Sequence, residues 1–85
     1  MKTLDEVRME IDEVDQALIK LIMKRIELSK EVKTAKELSG KMVFDPKRER
    51  EVIEQLQDLI PSEHHNYLDT LYTLIFDYSK EVQNR

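Results

Sequence analysis

Residues 4–38 read LDEVRMEIDEVDQALIKLIMKRIELSKEVKTAKEL, and the apolar spacing in this stretch predicts one long amphipathic α-helix. Thr3 and Glu6 have the spacing of a capping box at its start, and Gly40 favours its end. The apolar residues alternate between three- and four-residue steps, with one interruption at Arg25. They are Leu4, Val7, Ile11, Val14, Leu18, Leu21, Leu28, Val32 and Ala35.

A helix of this length is too long for a compact monomer of 85 residues. At ~1.5 Å per residue it extends roughly 50 Å, whereas a globule of this size is only about 30 Å across. A hydrophobic core this small is also marginal by itself. The sequence therefore predicts an oligomer, because a single copy cannot cover the whole apolar seam.

A second, short helix is predicted after a polar loop at residues 39–44. Asp45 followed by Pro46 is typical of a helix start, with the Asp45 side chain as N-cap, and the helix extends over residues 46–59. Its apolar residues predict the buried face, on which the charged residue Glu49 also lies. They are Val52, Ile53, Leu56, Leu59 and Ile60.

A third helix, of medium length, is predicted to reach nearly to the last residue. Pro61 breaks the chain and Ser62 is expected to cap the new helix. Its apolar stripe comprises Leu68, Leu71, Tyr72, Ile75, Phe76, Tyr78 and Val82. The sequence thus predicts an all-α fold with three helices per chain, in a single domain of residues 1–85.

Composition excludes several classes of protein. The chain has no cysteine, which leaves no disulfide or thiolate chemistry, and His64 and His65 are expected to be exposed rather than to bind a metal. A net charge of −4 argues against a nucleic-acid partner. Since no apolar run approaches the ~20 residues that span a bilayer, and no basic leader is seen, we expect a cytoplasmic protein that does not bind membranes.

Several charged and polar residues interrupt or extend the apolar faces of the three helices. Four of them are cations, and buried cations are costly unless something pairs with them. The pattern therefore indicates an anionic ligand. These candidate residues are Arg8, Arg25, Lys36, Asp45, Arg48, Glu49, Ser79 and Gln83.

Helical geometry places some of these residues together and separates others. Arg25 and Lys36 are 11 residues apart, so they share one helix face, at roughly 16 Å of rise. Arg8 lies about 25 Å before Arg25 on the same helix. If two long helices pack antiparallel about a two-fold axis, Arg8 of one chain reaches Arg25 and Lys36 of the other. Two equivalent shared sites would result.

Each candidate also has a purely structural explanation. Arg8 could form an i,i+4 surface pair with Asp12, and Arg25 could pair with Glu27 or Glu54. Asp45 could serve only as a helix cap, and Lys36 could complement the helix dipole. Arg48 could belong to an exposed charge run of the second helix, in which Glu49 would find its partner. Ser79 and Gln83 could be exposed polar residues near the end of the third helix. The combination favours a ligand more than any single residue does.

In order and spacing, the candidates resemble the all-helical AroQ class of chorismate mutases over nearly the whole chain. The similar stretches are VRMEIDEVDQALIKLIMKRIEL at 7–28, EVKTAK at 31–36, DPKRERE at 45–51 and SKEVQ at 79–83. The resemblance implies an intertwined homodimer in which Arg8 reaches the partner's pocket while the other seven residues line the pocket of their own subunit. It also implies the rearrangement of chorismate to prephenate in phenylalanine and tyrosine biosynthesis, without cofactor or metal.

The resemblance further implies a role for each residue. Arg8 and Arg25 would clamp the two substrate carboxylates, while Lys36 and Gln83 would donate to the ether oxygen of the breaking bond, so these four are the catalytic candidates. Glu49 would accept from the ring hydroxyl. The substrate-binding candidates are Asp45, Arg48, Glu49 and Ser79.

Other functions remain open at this point. On the same fold, the protein could be an isochorismate pyruvate lyase or a mutase of an aminated chorismate analogue (aminodeoxychorismate). A helical dimerisation module without catalysis is a further alternative, since buried polar residues can set helix register. The sequence does not indicate feedback control by aromatic amino acids or docking onto another aromatic-pathway enzyme.

Overall fold

The computed structural model describes residues 1–39 and 45–85, and these fold into three α-helices with one short 3-10 turn. The helices are α1 (Leu4–Ser39), α2 (Pro46–Gln57) and α3 (His65–Gln83), and the 3-10 turn is Ser62–His64. The predicted all-α fold is confirmed for the described residues. Gly40 and the rest of the predicted loop after Ser39 lie outside them.

The long helix α1 begins at the predicted cap. Thr3 Oγ1 accepts a hydrogen bond of 3.2 Å from the backbone N–H of Glu6. The helix accounts for most of the 56 Å length of the chain, and the radius of gyration of 16.3 Å exceeds the ~12 Å of a compact chain of this size. Along its first half, the predicted apolar seam from Leu4 to Leu21 is exposed to solvent.

Helix α2 starts as predicted and ends earlier than predicted. Asp45 Oδ1 accepts a 3.1 Å bond from the Arg48 N–H, and Pro46 occupies the first turn. The helix stops at Gln57, because tighter turn hydrogen bonds follow it, such as that from the Leu59 N–H to the Leu56 carbonyl. The prediction that Leu59 is buried is wrong, since this side chain is 77% exposed.

The turn before α3 differs from its predicted form. Ser62 makes no side-chain cap, and it opens the 3-10 turn instead. His65, rather than Ser62, makes the side-chain contacts of this turn. Its Nε2 lies 2.9 Å from the Gln57 carbonyl oxygen and 3.3 Å from that of Ile60. His65 is consequently half-buried, contrary to the predicted exposure, whereas His64 is exposed as expected.

The hydrophobic core of one chain is small. Helices α1 and α2 both pack on α3, and Phe76 and Val82 of α3 are the buried apolar residues in the described part of the chain. The accessible surface is 7172 Å², against about 5300 Å² for a typical monomer of this mass. None of the described helices is long and apolar enough to cross a membrane.

Candidate active site

The three helices line an open cavity of about 330 Å³, a volume typical of small-molecule pockets. It lies where the second half of α1 meets the start of α2 and the end of α3. Seven of the eight residues singled out from the sequence line it. They are Arg25, Lys36, Asp45, Arg48, Glu49, Ser79 and Gln83.

Arg25 enters this cavity from α1 and is held there by α3. Its Nη1 donates a 2.6 Å hydrogen bond to Ser79 Oγ. Ser29, one turn further along α1 and buried, donates to the Arg25 carbonyl and lies 3.2 Å from Ser79 Oγ. The structural alternative of a pair with Glu27 or Glu54 is thus wrong, because the guanidinium faces the hydroxyl across the cavity.

Two aromatic rings support the same guanidinium. Arg25 Cζ lies 5.8 Å from the centre of the Tyr72 ring and 5.7 Å from that of Phe76. These rings pack edge to face, with centroids 5.6 Å apart. Cation–π attraction to the two rings restrains the Arg25 guanidinium without neutralising its charge. The cation therefore stays available to an anion.

The N-terminus of α2 forms another wall. Asp45 caps the helix, which directs the side chains of the first turn, including Arg48 and Glu49, along the cavity. Uncompensated backbone N–H groups at a helix start favour negative charge nearby. Asp45 therefore has a structural role as N-cap as well as a position in the cavity wall.

Glu49 pairs with a residue that the sequence analysis did not single out. Lys80 Nζ lies 3.3 Å from Glu49 Oε2, whereas a pair within the charge run of α2 had been the structural alternative. Lys80 also lines the cavity. A signal was present in the sequence, because Lys80 lies four residues after Phe76 and three before Gln83, on the same helix face.

Lys36 and Gln83 also belong to the polar lining, from two different helices. Lys36 is half-buried on α1, and Gln83 is 8% exposed in the last turn of α3. The alternative that Gln83 is an exposed residue near the helix end is therefore wrong. Within the described residues, the buried Gln83 Oε1 has no hydrogen-bond partner.

Arg8 is the predicted site residue that this cavity does not include. It is exposed on the first half of α1, about 25 Å along the helix from Arg25. No ion pair between Arg8 and Asp12 is formed in the described part of the chain. The surface-pair alternative for Arg8 is thus not realised here, and the structure of one chain leaves Arg8 away from the other seven residues.

The cavity has a charge opposite to that of the chain. Four cations and two carboxylates line it, a local charge of +2 in a protein of net charge −4. The remaining wall is largely apolar, formed by Leu28, Val32, Val52 and Phe76. Such a lining suits a small dianion with a hydrocarbon ring, because the cations bind the anionic groups while the apolar wall packs against the ring.

Comparison with known families agrees with this chemistry. A family model described as chorismate mutase type II matches residues 7–84. The chain belongs to this family. The family resemblance inferred from the sequence is confirmed, and the protein is an enzyme with the chorismate mutase activity of its family.

Two relatives match this chain over very different shares of their own length. A chorismate mutase from Methanocaldococcus jannaschii is 30% identical over 88 residues, covering all of this chain and 88% of the relative. A bifunctional chorismate mutase/prephenate dehydratase from Aquifex aeolicus is 34% identical over 56 residues, covering 66% of this chain and 16% of the relative. A chain of this length thus matches nearly a whole protein in one case and a small part of a larger enzyme in the other.

Proposed function

We propose that the cavity between the three helices is the site where chorismate rearranges to prephenate, and that residues 1–85 act as one catalytic domain of a homodimer. The observation that carries this proposal is the convergence of seven predicted site residues on one cavity. Family membership supplies the reaction, and the lining of the cavity supports its location. The cytoplasmic location predicted from the sequence stays a prediction.

The reaction requires no covalent bond between the protein and the substrate. One C–O bond breaks while one C–C bond forms in a concerted step, and no proton has to be transferred to or from a side chain. The enzyme must hold the flexible enolpyruvyl group over the ring and stabilise the charge that develops on the ether oxygen. A rigid cavity rich in hydrogen-bond donors can do both.

Arg25 is placed to hold one substrate carboxylate. Its fork of N–H groups can bind two carboxylate oxygens at once, which sets the orientation of the group as well as its position. The hydrogen bond to Ser79 and the two aromatic rings restrict the guanidinium before substrate arrives. Less conformational freedom is therefore lost on binding.

Lys36 and Gln83 are the donors assigned to the ether oxygen. They line the same cavity from two different helices, α1 and α3. As the C–O bond breaks, negative charge grows on this oxygen, so an ammonium and an amide N–H bind the transition state more tightly than the substrate. Gln83 has the further advantage of being buried, where a hydrogen bond is stronger.

The start of α2 is assigned to the ring end of the substrate. Glu49 accepts a hydrogen bond from the ring hydroxyl, and Arg48 adds positive charge beside it. Asp45 holds the helix start in place through its bond to the Arg48 N–H. Orientation of the ring relative to the clamped carboxylate follows from these contacts.

A second copy of the chain is needed to cover α1. The chain exposes about 1900 Å² more surface than a typical monomer of its mass, which exceeds the ~800 Å² that each partner buries in a standard interface. The exposed apolar residues of the first half of α1 form a continuous stripe. They are Leu4, Val7, Ile11, Val14, Leu18 and Leu21.

Antiparallel pairing of two α1 helices along this stripe would complete the site. Arg8 lies on the same half of α1 as the stripe and outside the cavity of its own chain. In a two-fold dimer it moves next to the second half of the partner's α1, where Arg25 and Lys36 are. Arg8 then supplies the clamp for the second substrate carboxylate.

Ultraviolet detection of chorismate loss, with chromatography of the products, tests the proposed function. We expect purified protein to form prephenate from chorismate, with negligible release of pyruvate from isochorismate in a parallel reaction. Pyruvate release without prephenate would assign the site to a lyase instead. Inactivity towards both compounds would contradict the proposed function.

Mixing two inactive variants tests the shared site. Arg8→Ala and Lys36→Ala are each expected to lose activity, whereas a refolded equimolar mixture should recover about one quarter of the wild-type rate, because half of the dimers then hold one intact site. Activity of the mixture is compared with that of each variant refolded alone. A mixture no more active than its components would show that Arg8 does not act across the dimer.

A further inference from the structure

The cavity contains a cation, Lys80, for which the proposed function gives no task. Its Nζ lies 3.3 Å from Glu49 Oε2 and 3.7 Å from Asp77 Oδ1. The Lys80 and Glu49 side chains are 27% and 26% exposed, whereas Asp77 is 64% exposed. The contact with Glu49 is therefore both the shorter and the better shielded of the two.

We infer that Lys80 is a positioning and specificity-determining residue, which acts through Glu49 to make the cavity select a hydroxyl over an ammonium group on the substrate ring. The inference rests on the proposed function, in which Glu49 accepts from that hydroxyl. Glu49 is on α2 and Lys80 on α3, so their ion pair connects the two helices across one end of the cavity.

The positioning effect follows from the flexibility of glutamate. A glutamate side chain has several rotatable bonds, and fixing them on substrate binding costs conformational entropy. The contact between Lys80 and Oε2 holds the carboxylate in place before binding, which leaves the hydroxyl of the substrate to meet an oriented acceptor. Arginine at the same position could preserve this contact, whereas methionine could not.

The specificity effect follows from charge. A lone Glu49 carboxylate would bind an ammonium more strongly than a hydroxyl, because the ammonium adds a charge–charge attraction. With Lys80 beside it, the pair has no net charge, so the charge–charge attraction of Glu49 for an ammonium is cancelled. A chorismate analogue that carries a protonated amino group in place of the ring hydroxyl is therefore disfavoured.

Substrate preference in Lys80 variants tests the inference. For Lys80→Met we expect the ratio of kcat/KM for chorismate to that for the amino analogue to fall at least about tenfold, because the Glu49 carboxylate is then no longer neutralised and attracts the ammonium. Lys80→Arg should keep the wild-type ratio. Lys30→Met is the matched control, since it removes an exposed lysine of α1 that pairs with Glu27 outside the cavity.

A second set of variants separates this role from a merely structural one. In a Glu49→Gln background, Lys80→Met should change the substrate ratio no further, because the carboxylate through which Lys80 acts is gone. Asp77→Asn removes the longer of the two ion pairs described above and should leave the ratio unchanged. Thermal unfolding of every variant is measured beside the kinetics, because a loss of fold lowers both rates without moving their ratio.

Different results would overturn the role of Lys80 and the proposed function. A wild-type enzyme that forms prephenate, with a substrate ratio that is the same in Lys80→Met, overturns the inference and leaves the function standing. A Lys80→Met effect of equal size in the Glu49→Gln background also overturns it. Failure of the wild-type protein to rearrange either compound overturns both.

Discussion

Replacing Lys36 by alanine is expected to lower kcat for the rearrangement of chorismate by at least about 100-fold. Lys36 lines the cavity and is assigned the ether oxygen, on which negative charge appears only as the C–O bond breaks. Loss of an interaction that strengthens in the transition state lowers kcat more than it raises KM. Initial rates from the ultraviolet absorbance of chorismate, over a range of substrate concentrations, measure both parameters.

The control for this prediction is Lys30→Ala on the same helix. Lys30 pairs with Glu27 at the surface and does not line the cavity, so its replacement removes one positive charge without changing the site. We expect near wild-type kcat from this variant. A decrease in kcat of less than about tenfold for Lys36→Ala would contradict the assignment of Lys36 to the developing charge.

Replacing Arg25 by alanine is expected to lower kcat/KM by at least about 30-fold, because removal of one partner of a shielded charge pair costs about 2–5 kcal/mol. The guanidinium is oriented by Ser79, Tyr72 and Phe76 before substrate binds, and alanine removes both the charge and this preorganisation. Arg25→Lys should recover only part of the loss, since an ammonium lacks the planar fork. Steady-state kinetics of the two variants measure the difference.

Two further measurements separate loss of the clamp from loss of the fold. Arg25 packs on the aromatic rings of α3, so helical content and the thermal midpoint are recorded for each variant. Arg50→Ala, an exposed arginine of α2 outside the cavity lining, is the matched control and should retain wild-type kinetics. An Arg25→Ala enzyme that folds and keeps most of its kcat/KM would remove Arg25 from the proposed clamp.

Much of the candidate site could be predicted because its residues disturb regular helical patterns. Arg25 interrupts an apolar seam, and Ser79 and Gln83 extend another, so periodicity identifies them as candidates. Lys80 lies on the same helix face as Phe76 and Gln83, but its residue type did not single it out, because a lysine near a helix end is ordinarily solvated. Its importance depends on Glu49, which belongs to another helix.

The turn before α3 illustrates the same limit at the level of the fold. Local rules favoured Ser62 as a cap, but Ser62 makes no such hydrogen bond. Instead, His65 Nε2 lies within hydrogen-bond distance of the Gln57 and Ile60 carbonyl oxygens. Such a contact depends on how α2 and α3 approach each other, and one-dimensional spacing contains no information about that approach. The early end of α2 at Gln57 and the exposure of Leu59 follow from the same turn.

The sequence by itself determined that the chain forms three helices, the caps of α1 and α2 at Thr3 and Asp45, and most of the polar residues that line the cavity. These features depend on contacts within about one helical turn, where capping and periodicity operate. Only the tertiary structure decided that seven of those residues share one cavity, that Ser79 faces Arg25, and that Glu49 meets Lys80. Such pairings join side chains on different helices, so they are decided by packing of the helices rather than by any local rule.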